Sequence, residues 1–200
     1  MEGRFPFHTA AASPLPFFGT GVSIVPMPLA IALRLDLNSG SVFEEMWRAL
    51  AMAGIDADRH QLGYAAHITL AIYPDETPIE QLRSGLARVA GSWRVLPVTM
   101  AGFGVFPGAS SILWAAPIVS SELLARHAEL QSALTGLPVH PHYRSGTWVP
   151  HVTLSGALRD PGRALAVLIP RWQPVSGILD QLDLVRFRPV EELHSYRLQG

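Results

Sequence analysis

The order of strand-like and helix-like segments constrains the fold of this chain more than any other feature of its sequence. From Pro28 onward, apolar runs typical of strands alternate with segments whose apolar residues recur every three or four positions, giving β-α-β-α-β. The same order then recurs, and a closing strand follows. The pattern predicts an α+β protein in which duplicated β-α-β-α-β halves form two lobes around a pseudo-two-fold cleft.

Composition sets the limits of this unit. Residues 1–27 are rich in Pro, Gly, Ala and Ser, which predicts an irregular N-terminal extension. Residues 28–200 are then expected to form a single bilobal domain. Within it, the segment 39–54 is predicted to contain the first helix, with Ser41 near the N-cap and Gly54 just past the helix end.

Two of the predicted strands carry polar residues at positions that a buried strand would leave apolar. In "YAAHITLAIY", residues 64–73, regular alternation places four side chains on one face: His67, Thr69, Ala71 and Tyr73. In "WVPHVTLSG", residues 148–156, the corresponding face carries His151, Thr153 and Ser155. If the halves pack about a two-fold axis, two imidazoles and two hydroxyls converge on one cleft.

Such a set of groups suits displacement at phosphorus. One imidazole can take a proton from the attacking oxygen while the other donates a proton to the leaving oxygen. Threonine hydroxyls two residues away can donate hydrogen bonds to the non-bridging oxygens, where charge develops. This chemistry requires no metal.

The segments "HITL" and "PHVTL" resemble the two motifs of the two-histidine phosphoesterase superfamily, which includes the 2′-5′ RNA ligase-like and cyclic phosphodiesterase proteins. The resemblance covers residues 28–199. It implies that His67 and His151 are the catalytic pair, that Thr69 and Thr153 bind phosphate, and that the cleft lies between two lobes. It also implies substrates with a 2′,3′-cyclic phosphate or a 2′-5′ linkage. Many members carry an arginine soon after the second motif, where this chain has "SGALR".

Several further residues are candidates for the cleft. Ser155 lies on the His151 face, and Tyr73 on the His67 face either stacks on a base or packs in the core. Tyr64 and Trp148 lie at odd offsets from the histidines, which favours packing on the opposite face. The loops at residues 55–64 and 138–148 are expected to set specificity.

Other polar residues fit simpler interpretations. His140 and His142 in "VHPHY" could bind zinc, but a loop beside the cleft is favoured because no cysteine or carboxylate lies at ligand spacing. Arg186 and Arg188 alternate along a strand, where a solvated edge is favoured over contact with a substrate phosphate. Both are therefore left out of the predicted site.

Composition excludes several other mechanisms. The chain has no cysteine and no lysine, so a thiolate nucleophile and a lysine Schiff base are both excluded. A formal net charge of −1 argues against a protein that coats nucleic acid with a broad basic surface. The lack of cysteine fits a reducing compartment, and no apolar run is long enough to cross a membrane. We therefore expect a cytoplasmic monomer without a cofactor.

The sequence thus predicts a metal-independent phosphodiesterase that hydrolyses a 2′,3′-cyclic phosphate or a 2′-5′ linkage at an RNA end or in a nucleotide. The alternative is a non-catalytic module that binds an RNA terminus or a nucleotide in the same cleft. A metal hydrolase built on His140 and His142 is a second rival. The two motifs are nearly equivalent, so the sequence does not assign the acid and the base.

Overall fold

A computed structural model describes residues 27–200 of the chain, so the predicted N-terminal extension lies, except for Met27, outside the described residues. The first half contains β1 (Leu29–Leu35), α1 (Leu37–Met52), the short helix α2 (Asp58–Leu62), β2 (His67–Tyr73), α3 (Ile79–Ala90) and β3 (Leu96–Phe106). The second half contains β4 (Ser111–Pro117), α4 (Ser121–Ala133), β5 (Val152–Leu158), α5 (Pro161–Leu168), β6 (Val175–Arg186) and the closing strand β7 (Glu191–Arg197). Short 3₁₀ turns lie at Pro141–Tyr143 and Ile169–Arg171. The predicted order of strands and helices is confirmed.

The strands form one antiparallel sheet with the order β2-β1-β6-β3-β4-β5, and β7 pairs with β6 beside this path. This order is symmetric about the β6–β3 pair, because β2 corresponds to β5, β1 to β4 and β6 to β3. The last strand of each half pairs with the first strand of the other half. The α+β fold is confirmed, and the symmetry supports the duplication, which stays a prediction.

Strand β6 joins the two lobes into a continuous sheet. Its Leu179 pairs with Leu35 of β1 on one side and with Leu96 of β3 on the other. The sheet curves so strongly that its edge strands, β2 and β5, contact each other. The two strands that carry the histidine motifs therefore meet, although they lie at opposite ends of the strand order.

Strand β1 shows how the sheet separates the hydrophobic core from the cleft. Leu29, Ile31 and Leu33 are fully buried in the main core, which the helices cover. Ala30 and Ala32 alternate with them and line the cleft instead. Because alanine has only a methyl side chain, this face of the strand leaves room for a ligand.

The first helix starts earlier than predicted. Asp36 is its N-cap and accepts hydrogen bonds from the backbone N–H groups of Asn38 and Ser39. The predicted cap at Ser41 is wrong, because the Asp36 carboxylate already satisfies the free N–H groups of the first turn. The predicted end is confirmed, since the helix stops at Met52 and Gly54 follows with a φ of 63°.

Candidate active site

A cleft of about 440 Å³ lies beside the edge strands β2 and β5. Its lining includes the four motif side chains His67, Thr69, His151 and Thr153. The structure therefore brings together the two motifs that are far apart in the sequence.

The two histidines are held by equivalent hydrogen bonds. The Nδ1 atom of His67 lies 2.8 Å from the carbonyl oxygen of Ala65, and that of His151 lies 2.7 Å from the carbonyl oxygen of Val149. A carbonyl oxygen can only accept, so Nδ1 carries a proton in each ring. This leaves Nε2 as the atom that can accept a proton from a ligand or, when protonated, donate one.

Burial controls the charge of both rings. Burial, together with the positive charges of Arg59, His151 and Arg34, lowers the pKa of His67 to about 4, against the opposing bond to Ala65. Burial also lowers the pKa of His151, against its bond to Val149. The effect of His151 on His67 shows that the imidazoles interact electrostatically. Without a ligand, both rings are neutral at pH 7.

Each motif strand is interrupted by a β-bulge directly after its threonine. In β2, Thr69 pairs with Ala32 and Ala71 with Ile31, so Leu70 is the extra residue. In β5, Thr153 pairs with Trp114 and Ser155 with Leu113, so Leu154 is the extra residue. A bulge shifts the alternation of the side chains that follow it. The two motifs therefore share a backbone irregularity as well as a sequence.

The bulges overturn the predicted positions of Tyr73 and Ser155. The prediction that Tyr73 shares a face with His67 is wrong, because the extra residue Leu70 turns Tyr73 into the core, where it is 1% exposed. Ser155 is fully buried below the cleft, and its hydroxyl donates to the carboxylate of Asp56. Asp56 also accepts from the backbone N–H of Gly156, 3.3 Å away. Ser155 thus anchors the segment before α2 and does not line the cleft.

Two tryptophans bind the backbone of the motif threonines. The indole N–H of Trp148 donates to the carbonyl oxygen of Thr69 over 2.9 Å, and that of Trp47 donates to the carbonyl oxygen of Thr153 over 3.1 Å. The two bonds cross between the halves, because Trp47 belongs to α1 and Trp148 precedes β5. Each indole thereby satisfies a carbonyl beside a bulge, where the ladder of strand hydrogen bonds is interrupted.

A sequence profile of the 2′-5′ RNA ligase superfamily matches residues 42–191, which include both histidine motifs. The chain belongs to this superfamily. Membership supports a phosphoesterase or RNA-processing role for the protein. The family resemblance of the two motifs is thereby confirmed.

Several solved structures have a fold similar to that of this chain. E. coli LigT complexed with 3′-AMP has a TM-score of 0.60 at 16% identity, covering 88% of this chain and 99% of LigT. TT0787 of Thermus thermophilus has a TM-score of 0.59 at 20% identity, covering 87% and 99% of the two chains. Usb1 of Kluyveromyces marxianus has a TM-score of 0.50 at 16% identity, covering 89% and 100%. A search of curated protein sequences gave no match.

Tyr64 contributes to the cleft in a way that the sequence did not indicate. It is largely buried, as predicted, and its hydroxyl donates to Asp183 over 2.8 Å. Its ring nevertheless lies against His67, with 4.7 Å between the ring centroids, and lines the cleft. The odd-offset argument applies to a regular strand, whereas β2 begins only at His67.

Three more lining residues come from connecting segments. Tyr143 belongs to the 3₁₀ turn before the second motif, so this loop forms part of the cleft wall as predicted. Arg59 lies in α2, inside the loop expected to set specificity. Arg188 follows the end of β6 and is exposed, as predicted, but it also lines the cleft, so leaving it out of the site is wrong. By contrast, Arg159 is exposed and is not among the lining residues.

The histidines proposed for a metal site serve the local backbone. Nδ1 of His140 accepts from the backbone N–H of His142 at 3.4 Å, and the two rings pack edge to face. Within residues 27–200, no three His, Cys, Asp or Glu side chains are grouped so that they could hold a metal ion. In the same part of the chain, no helix is both long enough and apolar enough to cross a membrane.

Proposed function

We propose that this protein is a metal-independent phosphodiesterase that hydrolyses a 2′,3′-cyclic phosphate or a 2′-5′ linkage at an RNA end or in a nucleotide. The main support is the equivalent placement of His67 and His151, each with Nδ1 on a backbone carbonyl and with its ring in the same cleft. Membership of the 2′-5′ RNA ligase superfamily supports the same class of reaction.

In the proposed reaction, the phosphorus lies between the two imidazoles. Nε2 of one neutral histidine takes a proton from water as the water oxygen attacks phosphorus. Nε2 of the other, protonated histidine donates a proton to the ribose oxygen as its bond to phosphorus breaks. The hydroxyls of Thr69 and Thr153 donate to the non-bridging oxygens as negative charge grows there. A cyclic phosphate is thereby converted to a phosphomonoester and a free ribose hydroxyl.

The lowered pKa values bear on how this reaction starts. A neutral His67 is ready to act as the base, but the acid must be protonated, and burial disfavours the charged form of His151 as well. A bound phosphate supplies the missing stabilisation, because its negative charge raises the pKa of a nearby imidazole. The proposal therefore assigns the charging of the acid to substrate binding.

The alternative function is a non-catalytic module that holds an RNA terminus or a nucleotide. The neutral state of both rings in the free protein is the observation that favours it. Such a module would bind phosphate through the threonines and leave the ligand unchanged.

Incubation of the protein with each of the four nucleoside 2′,3′-cyclic phosphates separates the two functions. We expect conversion to nucleoside monophosphate, and a loss of turnover of at least about 100-fold in His67→Ala and in His151→Ala. His140→Ala is the matched control and should retain wild-type turnover. A 2′-5′-linked dinucleotide should be assayed in parallel as the other proposed substrate.

Binding without turnover of any of these substrates would favour the binding module. Wild-type turnover in both alanine variants would contradict the proposed roles of His67 and His151. Each variant should also be unfolded with denaturant, because a matching loss of stability would indicate a structural role for the histidine.

A further inference from the structure

The positive charge of the cleft is concentrated on one flank. Arg59 in α2 and Arg188 after β6 both line the cleft, and the charge of Arg59 lowers the pKa of His67, whereas neither arginine contributes to the lowered pKa of His151. In the described part of the chain, the lining residues from β4 to β5 include no arginine. This flank therefore differs chemically from the one that carries His151.

A single carboxylate joins the two arginines. The Asp58 carboxylate accepts hydrogen bonds from both terminal nitrogens of the Arg188 guanidinium, and one of its oxygens lies 3.2 Å from Nη2 of Arg59. The bond to Arg188 lowers the pKa of Asp58, so this carboxylate is ionised. Asp58 fixes the positions of both guanidinium groups, and the carboxylate of Asp56 attracts both of them from a greater distance.

Arg59 is poorly compensated in this arrangement. Its side chain is only 20% exposed, and its buried Nε has no hydrogen-bond partner within residues 27–200. Burial lowers the pKa of Arg59, and the charge of Arg188 lowers it further, against the attraction of Asp58 and Asp56. An anion between the guanidinium groups would reduce this repulsion and supply acceptors for their free N–H groups.

The position of the arginines argues against the reacting phosphate as that anion. In-line displacement requires the phosphorus to lie between the two imidazoles, where Thr69 and Thr153 supply donors from both sides. Arg59 affects the pKa of His67 and neither arginine affects that of His151, so the two guanidinium groups do not lie symmetrically about the imidazoles. They suit a phosphate one position along the substrate.

We propose that Arg59 and Arg188 form a subsite for a second phosphate of the substrate, next to the phosphate that reacts. This inference rests on the proposed function and narrows its substrate class to nucleotides or RNA ends with two neighbouring phosphates. A nucleoside 2′,3′-cyclic phosphate with a 5′-phosphate is the smallest such substrate. Asp58 orients both arginines for the second phosphate. Ser155 bonds to Asp56 and so anchors the segment that precedes Arg59.

Equilibrium binding of two product analogues tests the subsite without requiring turnover. Titration calorimetry with adenosine 3′-monophosphate and with adenosine 3′,5′-bisphosphate gives the ratio of their affinities. For the wild-type protein we expect the bisphosphate to bind about 10-fold tighter or more, as charge-assisted contacts to one extra phosphate imply. Arg59→Gln and Arg188→Gln should each reduce this ratio, because each weakens binding of the bisphosphate more than binding of the monophosphate.

The matched control is Arg48→Gln, which removes one positive charge from an exposed position on α1 and should keep the wild-type ratio. Equal affinities of the two ligands for the wild-type protein would overturn the proposal. So would variants that weaken both ligands equally, because the arginines would then bind the reacting phosphate. If Arg59→Gln fails to fold, Arg188→Gln decides the question, since the Arg188 side chain is 47% exposed.

Failure of the subsite and failure of the proposed function give different results. A protein that prefers the bisphosphate but turns over no cyclic phosphate would keep the subsite and lose the phosphodiesterase assignment. A protein that hydrolyses cyclic phosphates without any preference for a second phosphate would do the reverse.

Discussion

At the scale of single residues, two backbone carbonyls orient the histidines of the cleft. The carbonyl oxygens of Ala65 and Val149 fix the proton of each ring on Nδ1, so neither imidazole can flip by 180° without losing this hydrogen bond. The residues that supply these carbonyls are small or aliphatic, so their identity carries no signal in the sequence. The motif indicates which residues meet in the cleft, and the backbone around it determines how they are oriented.

The motif threonines allow a test that preserves shape. Thr69→Val and Thr153→Val keep the branched side chain and remove the hydroxyl, so each should lower kcat by roughly 10- to 1,000-fold, as the loss of one transition-state donor does. Steady-state hydrolysis of a 2′,3′-cyclic nucleotide measures the effect. Thr135→Val, at the exposed end of α4, is the control and should leave kcat unchanged. Wild-type kcat in both motif variants would mean that the threonines only pack.

The pH dependence of activity follows from the lowered histidine pKa values. We expect a bell-shaped profile of kcat/KM, because one ring must be neutral and the other protonated. Since burial lowers the pKa of both His67 and His151, the maximum should lie below pH 6.5. The two limbs belong to the pair and not to either residue. A profile that stays flat from pH 5 to 9 would count against two titrating histidines.

The same shift makes stability depend on pH. The pKa of His67 is about 4 in the folded protein and near 6.5 in the unfolded chain, so the unfolded chain binds more protons between these values. The free energy of unfolding should therefore fall as the pH decreases from 7 to 4. Urea unfolding at pH 7 and at pH 5 measures this loss. The loss should be smaller in His67→Gln, and an equal loss in both proteins would show that other groups cause it.

At the scale of elements, periodicity in the sequence predicts the strands and helices but not the two bulges. The apolar pattern gave the element order, and the repeated H-x-T-L gave the four cleft residues. Alternation then assigned Tyr73 and Ser155 to the cleft face, and the extra residues Leu70 and Leu154 reverse that assignment. A leucine is compatible with a bulge and with a regular strand, so the apolar pattern does not indicate where a bulge occurs.

Periodicity also does not predict which residues outside the strands line the cleft. Arg59 and Tyr143 line the cleft from a five-residue helix and a 3₁₀ turn, whose positions depend on tertiary contacts. The sequence indicated only that their loops lie near the site. Trp47 and Trp148 belong to the same class, because their partners lie 106 and 79 positions away in the chain.

The two tryptophan bonds allow a test of the bulges. Trp148→Phe and Trp47→Phe keep an aromatic ring but leave the carbonyl of Thr69 or Thr153 without its donor. Each change should lower the free energy of unfolding by about 1–3 kcal/mol, the cost of an unsatisfied buried polar group. We also expect kcat to fall more than KM changes, because the displaced threonine is the proposed donor to the transition state.

Denaturant unfolding and steady-state kinetics on the same preparations give both quantities. Trp172→Phe is the control. The ring of Trp172 packs against Phe103, and its indole is not a donor to either motif threonine. If the stability falls but kcat does not, the indoles support the fold without positioning the threonines.

At the scale of the whole molecule, the cleft combines two histidines and two arginines with a lining that, in the described part of the chain, contains no carboxylate. Divalent cations in hydrolases are held by histidine and carboxylate ligands around an open position. We therefore expect hydrolysis of a 2′,3′-cyclic nucleotide to persist after exhaustive treatment with EDTA. Activity that disappears with EDTA and returns with zinc, manganese or magnesium would support a metal hydrolase instead.

The exchange of strands between the halves has a consequence for a protein cut in two. A break in the exposed turn between β3 and β4, residues 107–110, yields one fragment with His67 and one with His151. In the first fragment, β1 lacks its partner β6, and in the second fragment, β4 lacks its partner β3. We expect neither fragment to hydrolyse a cyclic nucleotide alone, and activity to return when the two are mixed. The chain would then behave as a split enzyme whose two pieces reassemble through their missing strands.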